Sequence, residues 1–66
     1  MTTDDIIKTV EAIKAVKGDA ETAHSMEDEL HHEVLAHIAS CTCQNPAALA
    51  REALKTASIR FPRWCA

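Results

Sequence analysis

The sequence contains few residues that break helices and few aromatic side chains. Its 66 residues include one glycine, two prolines, one phenylalanine, one tryptophan and no tyrosine. Frequent Ala, Glu, Lys and Leu favour helix, and no alternating run of β-branched residues indicates a strand. We therefore expect one all-α domain over residues 1–66, a small three-helix bundle with the second helix longest.

Long apolar runs and a secretory signal are also missing. No segment approaches the roughly 20 consecutive apolar residues of a membrane-spanning helix, and the N-terminus is acidic at Asp4 and Asp5. Three cysteines, an odd number without a secretory signal, indicate reduced thiols. These features predict a cytoplasmic protein without a membrane partner.

Capping signals divide the chain into helices at 4–17, 19–39 and 46–57, with a tail at 58–66. Gly18 is expected to supply a left-handed residue that ends the first helix. Pro62 prevents the third helix from continuing, so the tail should fold back onto the bundle. The expected N-terminal caps are Thr2 or Thr3, Asp19 and Asn45, the last followed by Pro46.

Apolar residues at helical spacing predict the buried face of each helix. Glu27 falls at the edge of the second face and must therefore find a partner or raise its pKa. The predicted faces are Ile6, Val10 and Ile13 in the first helix; Ala23, Met26, Leu30, Val34, His37, Ile38 and Cys41 in the second; and Leu49, Ala53, Leu54 and Ala57 in the third.

Charge is unevenly distributed along the chain. Residues 18–37 carry six carboxylates and no lysine or arginine, whereas the C-terminal part carries four cations against Glu52 alone. An arginine from the folded-back tail, Arg63 or Arg60, would neutralise Glu27, with Trp64 packing over the contact. This predicts a structural anchor formed by Glu27, Arg63 and Trp64.

One side of the second helix is rich in histidine and carboxylate. His24, Asp28 and His31 are spaced at i, i+4 and i+7, which could hold a divalent metal but is more typical of a solvated helix face. We interpret this region as an outer, partner-binding surface, and self-association through Leu35 and Ile7 is compatible with that. The surface comprises His24, Asp28, Glu29, His31, His32, Glu33 and Leu35.

Two alternative binding functions have weaker support. His37, Cys41 and Cys43 are good zinc ligands, but the second ligand pair of a structural zinc site is missing, so no cofactor is expected, with zinc as the alternative. Basic and aromatic residues alternate over 60–64, as in proteins that stack bases. The net charge of −3 argues against a dedicated nucleic-acid binder.

Four short segments in the last two-thirds of the chain resemble small helical proteins encoded in bacteriophage and prophage genomes. The resemblance implies a gene of phage origin acting in a bacterial cytoplasm, and draws attention to His24, Glu27, Asp28, Arg63 and Trp64. It implies no reaction. The segments are Ala23-His24-xx-Glu27-Asp28-x-Leu30, Val34-Leu35-xx-Ile38-Ala39, Ala53-Leu54-Lys55-Thr56 and Phe61-x-Arg63-Trp64-Cys65-Ala66.

Small alanine-rich bundles rarely enclose the few hundred Å³ that a substrate needs, so we do not expect an enzyme. The sequence instead predicts a non-catalytic accessory protein that binds a host or phage protein through the acidic face of its second helix.

Overall fold

The protein is a bundle of three α-helices, as given by a computed structural model that describes residues 1–40 and 45–63. The helices are α1 (Thr3–Ala15), α2 (Ala20–Ala39) and α3 (Pro46–Leu54), followed by a 3₁₀ helix (Lys55–Ser58). The described residues form no strand, and the predicted all-α fold with α2 longest is confirmed. Within these ranges no helix combines the length and apolar character needed to span a membrane.

Two of the predicted caps hold the N-termini of α1 and α2. The Thr2 side chain accepts from the Asp5 backbone N–H at 3.2 Å, while the Asp5 carboxylate accepts from the Thr2 N–H at 2.8 Å. Asp19 accepts from the backbone N–H of Thr22 at 3.2 Å and from its hydroxyl at 2.9 Å. Hydrogen bonds from Thr2 and Thr22 lower the pKa of Asp5 and of Asp19, respectively.

The turn between α1 and α2 differs from the prediction at Gly18, which does not have a positive φ. Instead α1 ends earlier, at Ala15, and the Val16 N–H still reaches Ile13 O. The Asp19 N–H then donates to Val16 O at 2.8 Å, so consecutive tight turns connect the helices. A left-handed residue is unnecessary in such a connection.

The start of α3, unlike the turn before α2, contains a left-handed residue. Asn45 is the N-cap and Pro46 the first helical residue, as predicted, but Asn45 is left-handed with φ of 56°. Its side chain makes no capping hydrogen bond. Asparagine tolerates this conformation better than most residues, so its tolerance of a positive φ and not a capping hydrogen bond suits it to this position.

Each of the three helices packs against the other two, and one apolar core lies between them. Val16, Met26 and Ile38 pack partly buried at its margin. The core residues are Ile6, Val10 and Ile13 of α1, Ala23, Leu30 and Val34 of α2, Leu49 and Ala53 of α3, and Ile59 and Phe61 beyond them.

The buried residues at the C-terminal end of α3 differ from those predicted. Leu54 is 67% exposed and Ala57 is also exposed, whereas Thr56 is fully buried. Leu54 follows Leu49 by five residues and so lies about 140° away around α3, whereas Thr56, seven residues after Leu49, returns to the buried side. The prediction chose Leu54 and Ala57 for their apolar character over their position around the helix.

Candidate functional site

Glu27 on α2 forms the ion pair that attaches the C-terminal segment to the bundle. Arg63 Nε donates to Glu27 Oε1 at 2.8 Å, and Arg63 Nη2 donates to Oε2 at 2.9 Å. This two-pronged geometry matches the planar guanidinium to the carboxylate. The Glu27 side chain is 8% exposed and that of Arg63 is 33% exposed. We call this ion pair the anchor.

Arg63 also donates to backbone carbonyls of the residues that precede it. Its Nη2 donates to Thr56 O at 2.9 Å and to Ile59 O at 3.1 Å, both carbonyls that follow α3. The guanidinium carbon lies 3.9 Å from the centre of the Phe61 ring, within range of a cation–π interaction. One arginine thus joins α2, the 3₁₀ helix and the extended residues after it.

Glu27 and Arg63 each stabilise the charged form of the other. The hydrogen bonds from Arg63 hold the pKa of Glu27 below its ordinary value, despite burial, which opposes this shift. Glu27 in turn raises the pKa of Arg63. Both groups therefore remain charged near neutral pH. The expected basic partner for Glu27 is Arg63, while Trp64 lies outside the described residues.

Beside the anchor, His31 faces α3 and does not point into solvent. Its Nε2 lies 3.0 Å from the Thr56 hydroxyl and 3.3 Å from Ala53 O. A carbonyl can only accept, so the hydrogen bond to Ala53 requires a proton on Nε2. The buried hydroxyl of Thr56 also donates to Ala53 O at 3.2 Å. His31 thereby helps to hold α2 against α3.

The prediction that His31 lies on the outer surface is therefore wrong, and His24 is buried more than expected. The His24 side chain is 12% exposed, with its Nε2 3.5 Å from Asp28 Oδ1. Because α2 packs against both α1 and α3, its buried arc is wider than one apolar stripe. The two histidine rings turn to different partners, and the described residues contain no group of three ligands placed for a metal.

The remaining polar residues of the predicted surface are exposed on the outside of α2. We define the acidic face as Glu21, Asp28, Glu29 and Glu33, with His32 among them. Asp28 meets His24, whereas Glu21, Glu29 and Glu33 form no ion pair with any described residue. No lysine or arginine occurs in α2. Three of the four carboxylates of this face therefore have no counter-charge within the part of the chain that the structure describes.

An apolar groove lies where α2 meets α3. Leu35 and Leu54 lie on its two sides and are 66% and 67% exposed. It has a volume of about 220 Å³. We call it the Leu35–Leu54 groove, and its other lining residues are His31, Val34, Ile38, Ala50 and Ala53. Sequence reasoning identified Leu35 but assigned Leu54 to the core, and so missed the α3 side.

The zinc alternative involves residues that the structure only partly describes. His37 is partly exposed at the end of α2, while Cys41 and Cys43 fall outside the described ranges. The use of His37, Cys41 and Cys43 as zinc ligands stays a prediction.

The residues considered for nucleic-acid stacking have other contacts. Phe61 is buried in the core, and Arg63 is held by Glu27. Arg60 is exposed, while Trp64 is not among the described residues. The described part of this motif therefore packs onto the bundle and does not present an open stacking surface.

No protein-family model, curated protein or solved structure matches this chain. The function proposed below therefore depends on the geometry of the chain itself.

Proposed function

We propose that the protein is a non-catalytic binding module that recognises another protein through the acidic face of α2. The observation that carries this proposal is the set of exposed carboxylates at Glu21, Glu29 and Glu33, which have no cationic partner within the described residues. Charges that the fold does not use cost little at the surface and attract an oppositely charged partner. The bundle positions them on its longest helix.

The contrast with Glu27 strengthens this reading. The buried charge of Glu27 is neutralised by Arg63, which donates two hydrogen bonds to its carboxylate. The outer carboxylates receive no such partner although Arg51 and Arg60 are also exposed. The acidic face is thus a surface left for an external group.

We further propose that the protein is of phage or prophage origin, acts in a bacterial cytoplasm and binds a host or phage protein. The resemblance of its α2, α3 and C-terminal segments to small phage-encoded proteins supports this origin. A small non-catalytic protein would then act by covering, or docking to, a functional surface of its partner.

Affinity capture from a bacterial lysate tests this function. The bait is the full chain, compared with the double variant Glu29→Lys, Glu33→Lys and with Glu11→Lys on α1 as the control. Glu11 is also exposed, but lies on another helix and is paired with Lys14 at 3.4 Å. We expect a reproducible partner that is lost with the double variant and kept with the control.

The capture is evaluated after circular dichroism has shown that all three baits are folded. A partner retained equally by all three baits would refute recognition through the acidic face.

A further inference from the structure

The two walls of the Leu35–Leu54 groove are complementary in shape. The helices α2 and α3 are antiparallel, and the contact between His31 Nε2 and Ala53 O sets their relative height. Leu35 lies about 6 Å beyond His31, toward the C-terminus of α2. Ala50 lies about 4.5 Å from Ala53 in the same direction. A large side chain on one wall is therefore nearly level with a small side chain on the other, as when a ridge of one helix fills a groove of another.

The two rims of the groove carry opposite charges. Beyond Leu35 on the helical wheel, the first charged residue of α2 is Asp28, and beyond Leu54 the first of α3 is Arg51. Among the described residues, Asp28 is paired only with His24, at 3.5 Å, and Arg51 forms no ion pair. A docking surface that matches the groove is therefore apolar at its centre, acidic along one edge and basic along the other.

We infer that the groove binds a second copy of this chain, related by a twofold axis parallel to the helices. Such an axis preserves height along the bundle and lays α2 of each copy over α3 of the other. Leu35 then packs on Ala50 of the other copy, and each acidic rim meets a basic rim. The four helices form one core between the two copies, as in a four-helix bundle.

The heights of the rim charges are compatible with this arrangement. Asp28 lies about 4.5 Å from His31 toward the N-terminus of α2, and Arg51 lies about 3 Å from Ala53 in the opposite direction. The long arginine side chain spans this offset. A twofold axis perpendicular to the helices is disfavoured, because it would lay α2 on α2 and bring the two acidic rims together.

The cleft between α1 and α3 offers a second copy no such match. Ile7, which is 41% exposed, lies in this cleft between the ion pairs Glu11–Lys14 and Glu52–Lys55. These charges are already neutralised within one chain. The groove is also where self-association adds most to a small core, since a chain of about 60 residues buries only about 60% of its unfolded surface.

The dimer goes beyond the proposed function and does not depend on it. Glu29 and Glu33 line a cleft with Thr9 of α1, away from the groove between α2 and α3. Both carboxylates therefore stay exposed when the groove is covered. A dimer would carry two copies of this binding surface.

Sedimentation velocity of the full chain measures the dimer. Because the contact is small, we expect a dissociation constant in the micromolar range, so a monomer should become a dimer between about 1 µM and about 1 mM. Leu35→Gln and Leu54→Gln should each weaken the dimer about thirtyfold, because every dimer loses two leucines. Ile7→Gln is the matched control and should leave the dissociation constant unchanged.

A charge swap tests the orientation of the two copies. Asp28→Lys and Arg51→Glu should each weaken the dimer about fivefold at low salt, because like charges then meet at both rims. The double variant should restore the wild-type dissociation constant to within about twofold, since the pairs are re-formed with reversed sign. Circular dichroism first establishes that every variant is folded.

Four results would overturn the inference: a wild-type chain that stays monomeric to about 1 mM, equal dimerisation of Leu35→Gln and Ile7→Gln, a charge swap without restoration, or a groove covered by a captured protein instead. The double variant Glu29→Lys, Glu33→Lys should still dimerise, and Leu35→Gln should still capture the partner. Failure of the dimer is therefore distinguishable from failure of the proposed function.

Discussion

Glu27 and Glu29 are separated by one residue on the same helix, yet their surroundings have little in common. Glu27 is 8% exposed and holds Arg63 by two hydrogen bonds, whereas Glu29 is exposed and has no ion-pair partner among the described residues. Two residues along an α-helix rotate a side chain by about 200°, from the core edge to solvent. Identical side chains therefore serve folding at one position and remain available for binding at the other.

The largest expected effect is a loss of stability when the ion pair of Glu27 is broken, which has no counterpart at Glu29. Arg63→Ala leaves Glu27 buried without its partner and removes a donor from Thr56 O and Ile59 O. We expect the free energy of unfolding to fall by about 3 kcal/mol, near the low end for breaking a buried pair because Arg63 is one-third exposed. Urea denaturation followed by circular dichroism measures this change.

Two further variants provide reference values for the loss of unfolding free energy in Arg63→Ala. Arg60→Ala removes an exposed arginine three residues earlier and should change the unfolding free energy by no more than about 0.5 kcal/mol. Arg63→Lys keeps the charge but not the planar fork, so it should fall between the two. Equal stabilities for Arg60→Ala and Arg63→Ala would refute the anchor.

A double-mutant cycle sharpens the comparison. The cycle Glu27→Gln with Arg63→Lys should give a coupling energy of about 1–2 kcal/mol, because the two side chains are in direct contact. The parallel cycle Glu29→Gln with Arg63→Lys should give a coupling energy near zero. The same urea titrations supply all the values, and a comparable coupling at both positions would contradict the difference between them.

The pH dependence of stability provides an independent check. The pKa of Glu27 is lower in the folded protein than its ordinary value of 4.5, because Arg63 favours the charged form. The unfolded chain therefore binds more protons in this range, so the contribution of Glu27 is complete above that pH and is lost as pH falls through the folded pKa.

Asp5 and Asp19 contribute in the same direction, so the informative quantity is the stability difference between wild type and Glu27→Gln. This difference should be largest near pH 7 and should shrink below about 4.5. Glu29→Gln should show a difference near zero throughout. A difference for Glu27→Gln that stays constant between pH 7 and pH 3 would contradict the assignment.

A smaller effect distinguishes the adjacent histidines. His31→Ala removes hydrogen bonds to Ala53 O and Thr56, and should cost about 1 kcal/mol of unfolding free energy. His32→Ala, the matched control one residue later on the exposed side, should be neutral or slightly stabilising because alanine favours helix. Thermal unfolding of both variants measures this, and equal melting temperatures would contradict the inward position of His31.

The sequence was sufficient to predict the helices, most of the core and a basic partner for Glu27. The signals were local: Thr2 and Asp19 as caps, Ile6, Val10 and Ile13 at helical spacing, and a buried carboxylate opposite a basic tail. Each depends on residues within a few turns or on the need to pair a buried charge.

Two predictions were wrong for different reasons. Leu54 was assigned to the core with Leu49 and Ala53, although it follows Leu49 by five residues and so lies about 140° away around α3. His31 was assigned to solvent because a single helical wheel does not show that a second helix covers its side. The Leu35–Leu54 groove is lined by residues of both α2 and α3, so only the three-dimensional arrangement of these helices reveals it.

The most direct test of the division of α2 into an inner anchor and an outer binding surface compares charge reversal on its two sides, Glu27→Lys against the double variant Glu29→Lys, Glu33→Lys, by urea denaturation and by affinity capture. We predict that Glu27→Lys lowers the free energy of unfolding by about 3 kcal/mol, whereas the double variant stays within about 0.5 kcal/mol of wild type and loses the captured partner. An equal loss of stability in the two variants, or a partner retained by the double variant, would contradict the division.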